Sequence, residues 1–448
     1  MKKILLVFLS ALPFVAFSQT KGSISEAMLT EIRKGYAGTP SDKAIRNAAA
    51  ATPLNVLAMN QESAANLGTD FSDKVKTKGI TDQKRSGRCW LFTGLNVLRA
   101  AAITKHSLGD FQFSQNFCFF YDQLEKANLF LQAVIDTRTK SFDDREVDWL
   151  FKNPISDGGT FTGVANLVMK YGLVPSEVMP ETYCSNNTSQ MSAQLKEILR
   201  QFGLELRSLK PAEAEARKVS MLRDIYHVLA ICLGVPPSEF EWKGKTYTPA
   251  SFYDELLGYK LNDDYVMLMD DPCRPYGKVY EIQYDRHLYD GQNWKYLNLP
   301  VDEIKAMAIA SIKDDTAMYF ACDVRKCNDS SKGFSDPSVY DFESLLGVHF
   351  TMDKKQRVMT HQSSSTHAMT LMAVDLKDGK PVKWMVENSW GPTSGFKGHI
   401  ILSDKWMDEY MFRLVVERRF VPEKYLKLLG GKAEMLPAWD PMFLQDEE

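Results

Sequence analysis

The chain has 448 residues, with 54 Lys and Arg against 57 Asp and Glu, and a formal net charge of −3. With no net positive charge and no long Lys/Arg cluster, nucleic-acid binding has no support. The length suffices for a large core, and at ~50–250 residues per domain it predicts two lobes plus an insertion.

Lys2 and Lys3, an apolar centre and the small residues Ala16 and Ser18 ahead of Gln19 predict a secretory signal peptide over residues 1–18. The apolar stretch is interrupted by Pro13 and falls short of the ~20 residues a bilayer span needs, so no membrane anchor is expected. Export implies the periplasm or the outside for a bacterial chain, and the secretory pathway otherwise. Residues 19–75 read as an N-terminal arm.

Residues 82–92 run Asp-Gln-Lys-Arg-Ser-Gly-Arg-Cys-Trp-Leu-Phe. The apolar residues from Trp90 onward predict a buried helix starting at or just after Cys89. A thiol there faces the positive helix end beside Arg88, an arrangement that lowers a thiol pKa from ~8.5 to roughly 3.5–7.5. Gln83, six residues upstream, can supply an amide N–H to a developing oxyanion. The plainer alternative is a buried core cysteine.

At Asp157-Gly158-Gly159-Thr160 the paired glycines would let a substrate backbone approach closely, the alternative being an ordinary turn. Residues 190–234 show helical periodicity, and residues 265–269 and 279–284 read as extended. Two strands follow, over 367–374 and 383–388, with Asp378-Gly379 between them as a hairpin signal. A pivot there pairs residues whose numbers sum to 757, setting His367 opposite Trp390 and Asn388 opposite Met369. Asn388 then sits beside His367, able to hold the imidazole of a general base while Trp390 covers the bond. His361 is the rival base.

Seven cysteines allow up to three disulfides and one thiol over, without identifying pairs. No Cys-x-x-Cys or His-Glu-x-x-His spacing suggests a metal, and no cofactor is expected. The tail 436–442 carries Pro437 and Pro441, which stiffen it, and Trp439 and Asp440; the chain then runs to Glu448. The alternative is a disordered acidic tail.

Taken together, Gln83, Ser86-Gly87-Arg88-Cys89-Trp90, His367-Ala368-Met369 and Asn388-Ser389-Trp390-Gly391 resemble the papain-like cysteine peptidases. More narrowly they resemble the bleomycin hydrolase / aminopeptidase C branch. The resemblance implies an α+β papain-like two-lobe fold, with Cys89 on a helical lobe (76–180) and His367 and Asn388 on a β-barrel-like lobe (313–430). It implies a large helical insertion, an oligomerisation hook, over 181–312, and a C-terminal arm (431–448) lying in the cleft. Cys89, His367 and Asn388 become the catalytic set, Gln83 the oxyanion donor, and Gly158, Gly159 and Trp390 cleft residues. Peptide substrates and a homo-oligomer, a hexamer, follow by resemblance. An arm carboxylate that meets the substrate's α-ammonium makes such an enzyme an aminopeptidase. Two departures stand out: Thr160 replaces the branch's glutamine, and the tail extends past Met442 where relatives end short. The alternatives are an endopeptidase and an inactive scaffold on the same fold.

Overall fold

A computed structural model describes residues 21–63 and 68–443. The expected signal peptide and Glu448 lie outside those residues. The chain divides into two units, residues 1–59 with 342–348, and residues 60–341 with 349–448. In the smaller unit, helices Glu26–Lys34 and Pro40–Ala49 are capped by Ser25 and by a Thr39/Asp42 capping box, and neither buries a residue. The expected arm 19–75 therefore splits near residue 59.

The larger unit is built on helices α1 (Cys89–His106), α2 (Gln115–Asp136), α3 (Phe161–Tyr171), α4 (Ser189–Ser208), α5 (Pro211–Leu233) and α6 (Val301–Lys313). α1 is buried on all sides from Trp90 to Ala100, its apolar residues joined there by the buried Thr93, Asn96 and Arg99. It has no side-chain cap; the Leu91 and Phe92 N–H groups both reach the Arg88 carbonyl at 3.0 Å. A Cβ on Gly94 would come within 2.5 Å of Val164, so α1 and α3 cross closely because that residue is glycine.

The strands are β1 (Tyr265–Met269), β2 (Val279–Ile282), β3 (Lys295–Asn298), β4 (Met318–Cys322), β5 (His367–Lys377), β6 (Lys380–Glu387), β7 (His399–Ser403), β8 (Met411–Glu417) and β9 (Glu434–Leu436). They form one sheet in the order β9-β2-β3-β1-β8-β4-β5-β6-β7, continued by two short strands. Asp73–Lys74 pairs with β5, bringing the end of the expected N-terminal arm into the sheet.

Residues 181–312 contribute both helices and strands to the larger unit. α4 and α5 pack against α2, while β1 to β3 complete the sheet, because each carries an apolar face that only a neighbouring layer can bury. Likewise β9 of the C-terminal arm pairs in parallel with β2, so the arm is anchored as a strand before it turns.

The β5–β6 hairpin pivots at Asp378-Gly379, both with positive φ (51° and 77°), as a type I′ turn requires. Lys377 faces Lys380 and Thr370 faces Glu387, on the expected sum of 757. Between them Met372 is extra on β5 and Val382 is extra on β6, and the two bulges cancel. No helix of the described residues is long and apolar enough to cross a membrane.

Candidate active site

Cys89 opens α1, and α1 packs against β5 and β4, which carry His367 and its register partner Cys322. Cys89, Gln83, Gly87, Asp157, Gly158, His367 and Trp390 line one cleft of about 640 Å³. The sequence separates the thiol and the imidazole by most of the chain, and the packing of α1 on the sheet brings them to one cavity.

On the imidazole side, His367 Nε2 bonds Asn388 Oδ1 at 2.8 Å, and Trp390 lies over the His367 ring with centroids 4.8 Å apart. His367 and Asn388 are both buried. The bond assigns Nε2 as the N–H donor and leaves Nδ1 as the nitrogen for proton exchange. Burial pulls the His367 pKa down to about 4; the Asn388 bond opposes the shift and the charge of Arg325 adds to it. Asn388 Oδ1 also accepts the Ser389 N–H at 2.8 Å, which fixes the carboxamide. The rival base His361 is exposed in the turn after a short helix and does not line this cleft.

On the thiol side, Gln83 is held at three points. Its N–H donates to the Ser389 carbonyl (2.8 Å), its Oε1 accepts the Ser389 hydroxyl (2.6 Å), and its Nε2 donates to the Ser86 carbonyl (2.7 Å). The second Nε2 proton is thereby aimed from a fixed carboxamide that borders the cleft. Arg88 corrects the expectation drawn for it. Its guanidinium is fully buried and points away from the cleft, forked onto Glu181 at 3.1 and 2.8 Å between the rings of Phe92 and Phe119. Matched by that carboxylate, it is not the cation that polarises the thiol; the α1 N-terminus remains.

The two glycines part company. Gly158 borders the cleft, and a Cβ there would meet only Ser156 Oγ at 3.9 Å. Gly159 faces inward, where a Cβ would fall 2.4 Å from the His287 ring and 2.8 Å from Trp90. It also lines a smaller cavity beside the cleft. Asp157 holds this loop: its carboxylate accepts Ser192 Oγ (2.8 Å), Thr188 Oγ1 and the Gly87 N–H (3.3 Å), and its carbonyl accepts Trp90 Nε1 (2.6 Å).

Sequence reasoning missed the buried network behind that wall. His287 Nδ1 meets Asp122 Oδ1 at 2.5 Å, Lys126 meets the other Asp122 oxygen at 2.9 Å, and Lys126 also donates to the Ser156 and Gly158 carbonyls. Burial alone would raise the Asp122 carboxyl, but Lys126 and His287 hold it low, while burial lowers His287. The i, i+4 spacing of Asp122 and Lys126 is a signal; nothing in the sequence points from them to His287. A second missed pair, Arg99 of α1 with Glu387 of β6 at 2.5 Å, ties the thiol helix to the last residue of the strand that leads into Asn388.

All seven cysteines are thiols. Burial raises the Cys118 and Cys322 pKa, so neither competes as a nucleophile. Among the described residues no cluster of metal-ligating side chains forms. In the arm, Trp439 lies under Arg145 (4.6 Å), Asp440 pairs with Arg274, and Arg413 Nη2 donates to the Met442 carbonyl at 2.6 Å. Ala438 lines a cavity of about 120 Å³ that shares Asn153, Ile155, Ser156 and Gly158 with the cleft. The described part of the arm thus reaches the space adjoining the cleft rather than the cleft wall itself.

The model of the peptidase C1-like family matches residues 23–443. Aminopeptidase C of Lactobacillus delbrueckii subsp. lactis is 36% identical over 417 residues, covering 88% of this chain and 92% of that protein. Human bleomycin hydrolase is 41% identical over 390 residues, covering 82% and 86%. The crystal structure of PepW from Lactobacillus rhamnosis superposes with a TM-score of 0.90 at 34% identity, covering 94% of this chain and 99% of that one. The α+β, papain-like architecture is shared with that structure.

Proposed function

Because this chain belongs to the peptidase C1-like family, and is a cysteine peptidase, we propose that it is an aminopeptidase releasing N-terminal residues from peptides, with Cys89, His367 and Asn388 as its catalytic residues. The observation that carries the reading is the His367–Asn388 hydrogen bond inside the cleft that Cys89 borders. Cys89 Sγ attacks the first peptide carbonyl as its proton passes to His367 Nδ1. The oxyanion is held by Gln83 Nε2–H and by the Cys89 N–H, in a first helical turn where amides have no carbonyl of the helix to bond. His367 then protonates the leaving amine, and water, deprotonated by the same imidazole, hydrolyses the acyl-enzyme. Asn388 keeps one tautomer throughout.

The names of the relatives and the arm beside the cleft support exopeptidase action. An arm that blocks the cleft beyond one residue admits only a chain end. Signal-peptide removal with export to the periplasm or medium, and assembly into a hexamer that restricts entry to peptides, belong to the same proposal. The test is labelling by a thiol-directed epoxide at neutral pH, lost in Cys89→Ala, together with release of single N-terminal residues. Truncation from Met442 should convert trimming into internal cleavage. An unchanged cleavage pattern after truncation would favour an endopeptidase, and absence of labelling an inactive scaffold. Intact mass reports leader removal, and light scattering the assembly.

A further inference from the structure

Four charged side chains line the cleft besides the proposed catalytic pair: Lys152, Asp157, Lys196 and Arg325. Lys152 is 2.7 Å from Asp148, and Asp157 accepts three hydrogen bonds from its own wall. Lys196 and Arg325 have no carboxylate within ion-pairing distance among the described residues. The cleft is thus cationic in a chain whose net charge is −3.

These two cations stand on different walls. Lys196 lies one turn of α4 beyond Ser192, which is tied to Asp157 and the Gly158 loop, on the wall that continues toward the cavity of the C-terminal arm. Arg325 lies three residues past Cys322, the cross-strand partner of His367, and its charge is felt at the imidazole. The carboxylate of the same loop, Asp323, is buried, accepts Ser363 Oγ at 2.7 Å and forms no ion pair with Arg325, which is exposed and lines the cleft. An imidazole that protonates the leaving amine has the leaving fragment beside it, so Arg325 stands on the lip that fragment passes.

We propose that Arg325 is a specificity residue that recognises a carboxylate on the leaving side of the scissile bond. The preferred substrates are then dipeptides, whose free α-carboxylate belongs to the leaving residue, and peptides with Asp or Glu directly after the cleaved bond. A planar guanidinium suits this task because it can bond a carboxylate through two parallel N–H groups. The inference rests on the aminopeptidase reading.

The test compares kcat/KM for Ala-Ala with Ala-Ala-NH2, and for Ala-Asp-NH2 with Ala-Asn-NH2, at low ionic strength. For an exposed guanidinium the carboxylate member should be favoured about two- to fivefold. Arg325→Gln should bring both ratios close to one, Arg325→Lys should keep part of the preference, and Lys196→Gln should leave it. Ratios near one in the unaltered enzyme, ratios unmoved by Arg325→Gln, or ratios lost in Lys196→Gln instead would each overturn the assignment. If none of the four substrates is cleaved, the aminopeptidase reading fails and takes this one with it.

Discussion

The Arg99–Glu387 pair offers the sharpest test of how the two halves of the site are held. Both side chains are about 1% exposed, their atoms are 2.5 Å apart, and Arg99 Nε and Nη1 have no hydrogen-bond partner among the described residues. Burial pushes the Glu387 carboxyl up, and the Arg99 charge and hydrogen bond oppose that shift. In Glu387→Gln the guanidinium stays buried with its counter-charge gone. With charge centres roughly 4 Å apart and an effective dielectric near 20, the lost attraction is about 4 kcal/mol. That agrees with the ~3–5 kcal/mol typical of breaking a buried pair from one side. Urea denaturation followed by circular dichroism should show that loss, and kcat should fall as well, because Glu387 is bonded to Asn388 in the chain. The double variant Arg99→Met/Glu387→Leu should recover most of the stability. A single-variant loss under about 1 kcal/mol, or a double variant no better than the single, would refute the reasoning.

Gln83→Ala should lower kcat by roughly 10²–10³ with KM little changed, as expected for a donor used in the transition state; a fall below tenfold would count against the oxyanion role. Gly159→Ala should cost about 1–3 kcal/mol in thermal unfolding because its Cβ meets the His287 ring, whereas Gly158→Ala should unfold like the parent. His367 takes up a proton near pH 4 when folded and near its ordinary 6.5 when unfolded. Its folded pKa is depressed, so stability is undiminished above pH 6.5 and falls as acid takes the pH toward 4, by roughly 3 kcal/mol. His367→Gln should flatten that part of the stability–pH curve, and equal slopes in the two proteins would contradict a buried neutral imidazole.

Much of the site was legible in the sequence because local rules act locally. Asp378-Gly379 has the backbone freedom a tight hairpin demands, and the apolar run after Cys89 can only be a buried helix. The pairing of His367 with Asn388 was legible for a less secure reason. Counting from the turn assumes an unbroken ladder, and the ladder is broken twice, with offsets of opposite sign. What stayed hidden depends on contacts between distant segments. Nothing near Arg88 announces Glu181, nothing near Asp122 announces His287, and the inward aim of Gly159 follows from the ring packed against it. How the helices and strands of 181–312 pack was not legible because such elements can stand apart or join existing layers, and only the partner face decides.

The paired bulges constrain what this hairpin tolerates. Removing a paired residue such as Leu371 would slide the far part of β5 by one position and turn the imidazole away from the carboxamide, whereas removing the unpaired Met372 leaves every cross-strand partner in place. Met372 also offers its carbonyl to the Val75 N–H at 2.8 Å, so the first irregularity is stapled from outside the hairpin. Length changes between the base and its orienting amide should therefore be accepted at the two unpaired positions, Met372 and Val382, and refused at the paired ones, a condition that any loop-grafting or shuffling of this segment has to respect.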